Sequence, residues 1–273
     1  MDPYFDYRGT RHLPPAYRAM FENDPHPHGS IDREVWDAMV RLVPATAPDL
    51  YRDFTPTRVA YEVGMRPELE RVAHGLSPAG AAEEERVSTV VRFASELAPA
   101  QAVALETRKF GGSEEEIIAR GSDWCTDVAR VATALFQVAR IPARLVILAD
   151  VERPYGGHTV VEVWREGAWG AVDPLANVVY RKEGGAPASA WDLLSRPELV
   201  DAHPRPGGIS EEMRGQYRWA AIANYALGPR DAVDYSAGAI NQYYRTILTL
   251  SDGGWPGGRR WLFGEDHTHS PRL

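Results

Sequence analysis

Apolar residues recur at helical spacing through the first half of the chain and alternate, as strand residues do, near its middle. Ile31, Val35, Met39 and Val43 fall on one face behind Ser30 as a cap. Asp32 and Glu34 suit the positive end of the dipole, so the pattern predicts a helix over 31–43. Pro67, placed in a first turn with Leu69, Val72, Ala73 and Leu76 on the inner side, predicts a second. A third and longer helix is opened by Ser77-Pro78 and runs through Glu83-Glu84-Glu85. It carries Val87, Val90, Val91, Ala94 and Leu97 at helical spacing until Pro99 stops it. Ser113-Glu114-Glu115-Glu116 has the capping-box pattern ahead of Ile117-Ile118, which predicts a short helix before Gly121.

From Cys125 to Ala139 the periodicity changes character. Val128, Val131, Ala132, Leu135, Phe136 and Val138 go nearly all round, so this helix belongs inside a domain. Pro142 ends it, and Leu145 to Leu148 reads as a buried strand. Residues 159–164 alternate, Glu166-Gly167 makes a turn, and residues 168–172 return as the partner strand. One helix followed by an antiparallel sheet is an α+β arrangement.

The flanks are less patterned. Residues 1–30 are rich in Pro, Asp, His and aromatics without a period, and residues 181–209 contain enough Gly and Pro to read as a loop-rich connection. Helices are expected from a Ser210 cap to Leu227, and from a Ser236 cap through Ile240, Tyr244, Ile247 and Leu248. The expected organisation is an N-terminal helical extension over 1–76, a core over 77–182, and a C-terminal extension over 183–273 packed on that core.

Composition narrows the function classes. With 273 residues, 44% hydrophobic and 25% charged, the chain can bury a sizeable core. A formal net charge of −8 opposes nonspecific nucleic-acid or anionic-membrane binding. The start, Met1 to Tyr7, has neither a basic nor an apolar leader segment, and no apolar run reaches the ~18 residues of a membrane span. A single cysteine forms no internal disulfide, so a cytoplasmic setting is expected.

That cysteine is also the most informative residue. Cys125 sits where a helix begins, after Gly121, Ser122 and Asp123, any of which can occupy or precede the cap. A thiol in the first turn lies near unpaired N–H groups and the positive end of the dipole, which favours thiolate, the nucleophilic form. The same N–H groups suit the oxyanion of a tetrahedral intermediate. His158 begins one strand and Asp173 ends the next, with the turn at Glu166-Gly167 midway. In such a hairpin the two ends lie side by side, so Asp173 can accept from one imidazole nitrogen while the other faces Cys125, provided the register puts both side chains on one face.

Taken with its neighbours, including Ile141-Pro142-Ala143-Arg144, the stretch from Gly121 to Pro174 resembles the transglutaminase-like superfamily, and the likeness extends weakly back to the helix at Val87–Leu97. The resemblance implies a core related to papain-like cysteine proteases, with the nucleophile helix packed on an antiparallel sheet. It assigns Cys125 as nucleophile, His158 as general base and acid, and Asp173 as orienting carboxylate. Members include protein cross-linking enzymes, peptidases, peptide N-glycanases and transacylases of natural-product assembly; some have lost the triad and serve as scaffolds. The chain departs from the animal cross-linking enzymes, which have Gln-Cys-Trp where Trp124-Cys125-Thr126 stands here. It also lacks an evident calcium-binding acidic loop, and the side-chain part of an oxyanion hole is unassigned.

The expected activity is cysteine-dependent acyl transfer through an acyl-enzyme thioester, without a cofactor or metal. A peptide, amide or thioester would be the donor, with a carrier protein as one form of it. Water as acceptor makes a peptidase or amidase, and an amine makes an amide-forming transacylase. The alternative is a non-catalytic interaction module that keeps the fold. Trp124 and Tyr155 are candidates to line the substrate site, whereas Trp164 and Trp169 are expected to pack the hairpin and Arg144 to form a structural ion pair. His26, His28, His267 and His269 have ligand-like spacing but no partner pattern, and read as solvated tail residues. Tyr243 and Tyr244 are expected on a helix face against the core.

Overall fold

The computed structural model describes residues 40–44, 47–48, 50–51, 61–76, 80–99, 111–149, 157–203, 215–217, 220–223 and 227. In chain order the elements are β1 (Val40–Arg41), α1 (Pro67–Leu76), α2 (Glu83–Ser95), α3 (Glu114–Arg120), α4 (Cys125–Val138), β2 (Ala143–Ala149), β3 (Gly157–Arg165), β4 (Ala168–Asp173), β5 (Val178–Val179), α5 (Ala190–Ser195), α6 (Glu198–Asp201) and β6 (Ala220–Ala223). The strands form one antiparallel sheet in the order β1-β6-β2-β3-β4-β5. The α+β expectation is met.

The period-two pattern of the strands divides two cores. Leu145, Ile147, Val161, Val163, Val172, Ala221 and Ala223 face the layer of α1 to α4. Val146, Leu148, Val160, Ala171, Ala220 and Ile222 face a second cluster with Leu42, Leu50, Tyr180, Leu193, Val200 and Tyr217. Helix α4 is the centre of the first layer. Every residue from Asp127 to Gln137 is buried, which explains why its apolar residues are not confined to one stripe.

Several local expectations hold. Helix α1 starts at Pro67 and buries Leu69 and Ala73, with Val72 and Leu76 packed against the core. Helix α3 has the full capping box, Ser113 with Glu116. Its other first-turn acids have a second use: Glu114 bridges Arg66 and Arg130 at 2.8 and 2.9 Å, all three side chains being buried. The β3–β4 turn falls at Glu166-Gly167, where both residues have positive φ. Trp164 pairs with Trp169 across it in an edge-to-face contact at 5.6 Å.

Other expectations fail. Helix α2 begins at Glu83, after extended Ala82, rather than at Ser77-Pro78. It ends at Ser95, so Leu97 lies beyond it and packs on the core from a turn. Residues 190–201, expected as loop, form α5 and α6; Ser189 and Asp192 make a reciprocal cap of the same kind as that at Ser113. The largest error concerns residues 210–227, where Ala220–Ala223 is a strand between β1 and β2. Alanine favours helix in isolation, but here both edges of a four-residue segment are hydrogen-bonded and all four side chains are buried. Of the helix expected over 31–43, only the end is described, and Val40–Arg41 is a strand paired with β6. Residues 1–30, the Ser236 helix, Tyr243 and Tyr244 lie outside the described residues.

Candidate active site

Cys125 is the first residue of α4. Its cap is Trp124, in extended conformation and without a side-chain cap bond, and Gly121, Ser122 and Asp123 precede the cap. The preceding residues are fixed in other ways. Gly121 ends α3 with φ 77°, and Ser122 N–H donates to Leu97 O at 3.0 Å. Ser122 Oγ accepts from Trp124 N at 3.1 Å and donates to Asp127 Oδ2 at 3.0 Å. Asp127 also accepts from Gly111 N at 2.9 Å and pairs with Arg120 at 2.8 Å. Burial raises the Asp127 carboxyl above its usual range, against the opposing pull of Arg130 and Arg120. The loop entering α4 is therefore tied down by a buried carboxylate that the sequence reading did not single out.

His158 and Asp173 are brought together as expected. Their side chains are buried, and His158 Nε2 and Asp173 Oδ2 are 2.8 Å apart. The register puts them on one face. Val161 pairs with Val172, so Asp173 stands opposite Val160 and His158 lies one diagonal step further along the same face. They are diagonal neighbours rather than directly opposed. Asp173 Oδ1 accepts from Ala176 N at 3.1 Å, which fixes the carboxylate from its other side.

His158 also acts on the Cys125 thiol by charge and hydrogen bonding, and Nδ1 is the ring nitrogen left free by the Asp173 contact. The β3–β4 ladder stops at Val161 and Val172, and the first turn of α4 meets the strand just beyond. There Thr126 Oγ1 lies 3.1 Å from Thr159 Oγ1. Burial pushes the Cys125 thiol up, but the hydrogen bond and charge of His158, the Thr159 N–H and the Thr126 hydroxyl together bring it below its ordinary value. Burial would likewise lower His158. The charge and hydrogen bond of Asp173, helped by Cys125, push it up to about 9 instead. Both shifts favour a thiolate–imidazolium pair over a thiol beside a neutral imidazole. As a residue, Cys125 is partly exposed.

Trp124 is half-buried and immediately precedes the thiol. Tyr155, His26, His28, His267 and His269 lie outside the described residues. Arg144 belongs to a separate set of buried partners. It pairs with buried Glu162 at 2.7 Å and stacks against the rings of Trp169 and Tyr51, at 4.1 and 4.9 Å, as a structural ion pair. A groove of about 690 Å³, lined among others by Tyr61, Arg86 and Val138, lies at the other end of α4, about 20 Å from Cys125 along the helix. Among the described residues no cluster could hold a metal ion, and no helix is long and apolar enough to cross a membrane.

An α+β core with a cysteine at the head of its central helix and a His–Asp pair on the adjoining hairpin defines the class of fold. Residues 71–174 match the transglutaminase-like superfamily, so this stretch is a transglutaminase-like domain. The superfamily consists mostly of cysteine-dependent amidases and peptidases. The match runs from within α1 to the residue after Asp173, and so encloses all three candidate residues. No curated protein and no solved structure matches the chain.

Proposed function

We propose that the protein is a cysteine-dependent acyl-transfer enzyme in which Cys125 is the nucleophile, His158 the general acid and base, and Asp173 the residue that orients and charges the imidazole. The observation that carries this reading is the 2.8 Å contact of His158 with the buried Asp173 carboxylate, on an imidazole that also acts on the Cys125 thiol at the head of α4. Cys125 thiolate attacks the carbonyl carbon of an amide, ester or thioester, and the carbonyl electron pair moves onto oxygen. Backbone N–H groups in the first turn of α4 receive that oxyanion. As the tetrahedral species collapses, the bond to the leaving group breaks and His158 supplies its proton, leaving an acyl-enzyme thioester. Neutral His158 then takes a proton from the acceptor as it attacks the thioester, which releases the product and regenerates the ion pair. A water acceptor gives hydrolysis; an amine gives amide formation.

Because the chain has a single thiol, alkylation by iodoacetamide reads the site directly. Near pH 6 the wild-type rate is expected to exceed that of free cysteine, and His158→Ala to lose most of the excess. Equal rates for free cysteine and both proteins would sink the proposal. Intact mass after incubation with peptide esters and acyl thioesters is expected to show an adduct on Cys125. Its clearance by water alone, or only on adding an amine, separates hydrolase from transferase.

A further inference from the structure

Two residues outside the candidate triad meet at the sulfur. Thr126 follows Cys125 and Thr159 follows His158, and their hydroxyl oxygens are 3.1 Å apart. Thr159 is buried and Thr126 half-buried. The contact joins the first turn of α4 to β3 one residue beyond the thiol on one element and one residue beyond the imidazole on the other. The contact links these elements beside the site, in addition to the pairing of Cys125 with His158. It therefore constrains the separation of Cys125 and His158 from both sides.

The contact also has a direction. Each hydroxyl holds one proton. The Thr126 hydroxyl, next in the chain to Cys125, helps lower its thiol, and a thiolate can only accept, so the Thr126 proton serves the sulfur. The proton between the two oxygens must then come from Thr159. The result is a one-way chain, Thr159 O–H to Thr126 O and Thr126 O–H to sulfur, in which each bond polarises the next.

We infer that Thr126 and Thr159 form a positioning pair that holds the nucleophile helix against the strand bearing the base and directs a hydroxyl donor at the Cys125 thiolate. The inference rests on Cys125 being the nucleophile, as proposed above. The donor stabilises the charged form of sulfur more than the neutral thiol, so it belongs to the ionisation of the thiol rather than to packing alone. A valine at either position keeps the shape and removes the donor.

The test is the pH dependence of Cys125 alkylation by iodoacetamide in wild type, Thr126→Val, Thr126→Ser, Thr159→Val and the Val/Val double variant, with folding followed by circular dichroism. In Thr126→Val the ionisation midpoint is expected to rise by about one pH unit, a roughly tenfold loss of thiolate on its rising limb, as for a lost hydrogen bond to a charged group. Thr126→Ser should titrate like wild type, because it keeps the hydroxyl. Thr159→Val should shift in the same direction by less, and the double variant no further than Thr126→Val, because both act through one chain. A wild type that ionises below the ordinary thiol range together with an unshifted, folded Thr126→Val overturns the pair alone. A wild type that titrates as an ordinary thiol overturns the pair and the nucleophile assignment together. Should Thr126→Val fail to fold, an unshifted Thr159→Val overturns the chain on its own.

Discussion

Asp173 reaches His158 diagonally across the β3–β4 hairpin, with Oδ2 2.8 Å from Nε2, while its Oδ1 is held by the backbone of Ala176. The carboxylate is thus fixed at both oxygens and buried, and it is the main reason the imidazole stays charged in a site that burial alone would make neutral. Asp173→Asn keeps the shape and removes the charge. It is expected to lower turnover of an acyl donor by about 10²–10⁴-fold, and to move Cys125 ionisation upward, since the thiolate loses its imidazolium partner. A variant with wild-type turnover and alkylation would contradict the orienting role.

The two titrations set a bell-shaped pH profile for acyl transfer. Below the lowered thiol pKa, sulfur carries its proton and cannot attack. Above about 9, His158 has lost the proton that the leaving group requires. Activity is expected to rise on the acid side of the ordinary thiol range of about 8.5 and to fall near 9. A single rise centred on the ordinary thiol value, without a falling limb, would mean that no ion pair forms.

Gly121 places the loop that leads to the nucleophile. Its φ is 77°, and a Cβ there would lie 2.6 Å from the carbonyl oxygen of Leu97, backbone that cannot turn aside. Gly121→Ala is expected to cost about 1–3 kcal/mol in urea unfolding and to slow Cys125 alkylation as the Ser122–Leu97 contact shifts. Gly167→Ala is the control. That glycine also has positive φ, but a Cβ there meets nothing within 4 Å, so strain is expected without any change in the thiol.

Glu162 is fully buried and accepts from Arg144 Nε at 2.8 Å, Tyr51 Oη at 2.6 Å and Ala190 N at 2.7 Å. Glu162→Gln leaves the Arg144 charge unpaired among Trp169 and Tyr51, and is expected to destabilise by about 3–5 kcal/mol. Replacing both partners, Arg144→Met with Glu162→Leu, should cost less than the single change, because no orphaned charge remains. Chemical denaturation of the three proteins decides it; a double variant worse than Glu162→Gln would show that the ion pair contributes more than its desolvation costs.

The central elements and the candidate site were legible in the sequence because their signals are local. A capping box at Ser113, an all-round apolar helix after Cys125 and a hairpin turning at Glu166-Gly167 are each specified within about ten residues of chain. Those signals sufficed to set Cys125 at a helix start and to put His158 and Asp173 at neighbouring strand ends. They could not decide the register, and the one found makes the His–Asp pair diagonal. They also misled at Ala220–Ala223, where composition favours helix and a slot between two strands imposes a strand. The hydroxyl contact of Thr126 with Thr159 and the hold of Asp127 on Ser122 join residues whose patterns carry no sign of partnership. By itself the sequence determined which side chains are available for chemistry and which elements carry them. Tertiary structure alone decided their distances, their burial and hence their charge states, because those depend on what packs around each group.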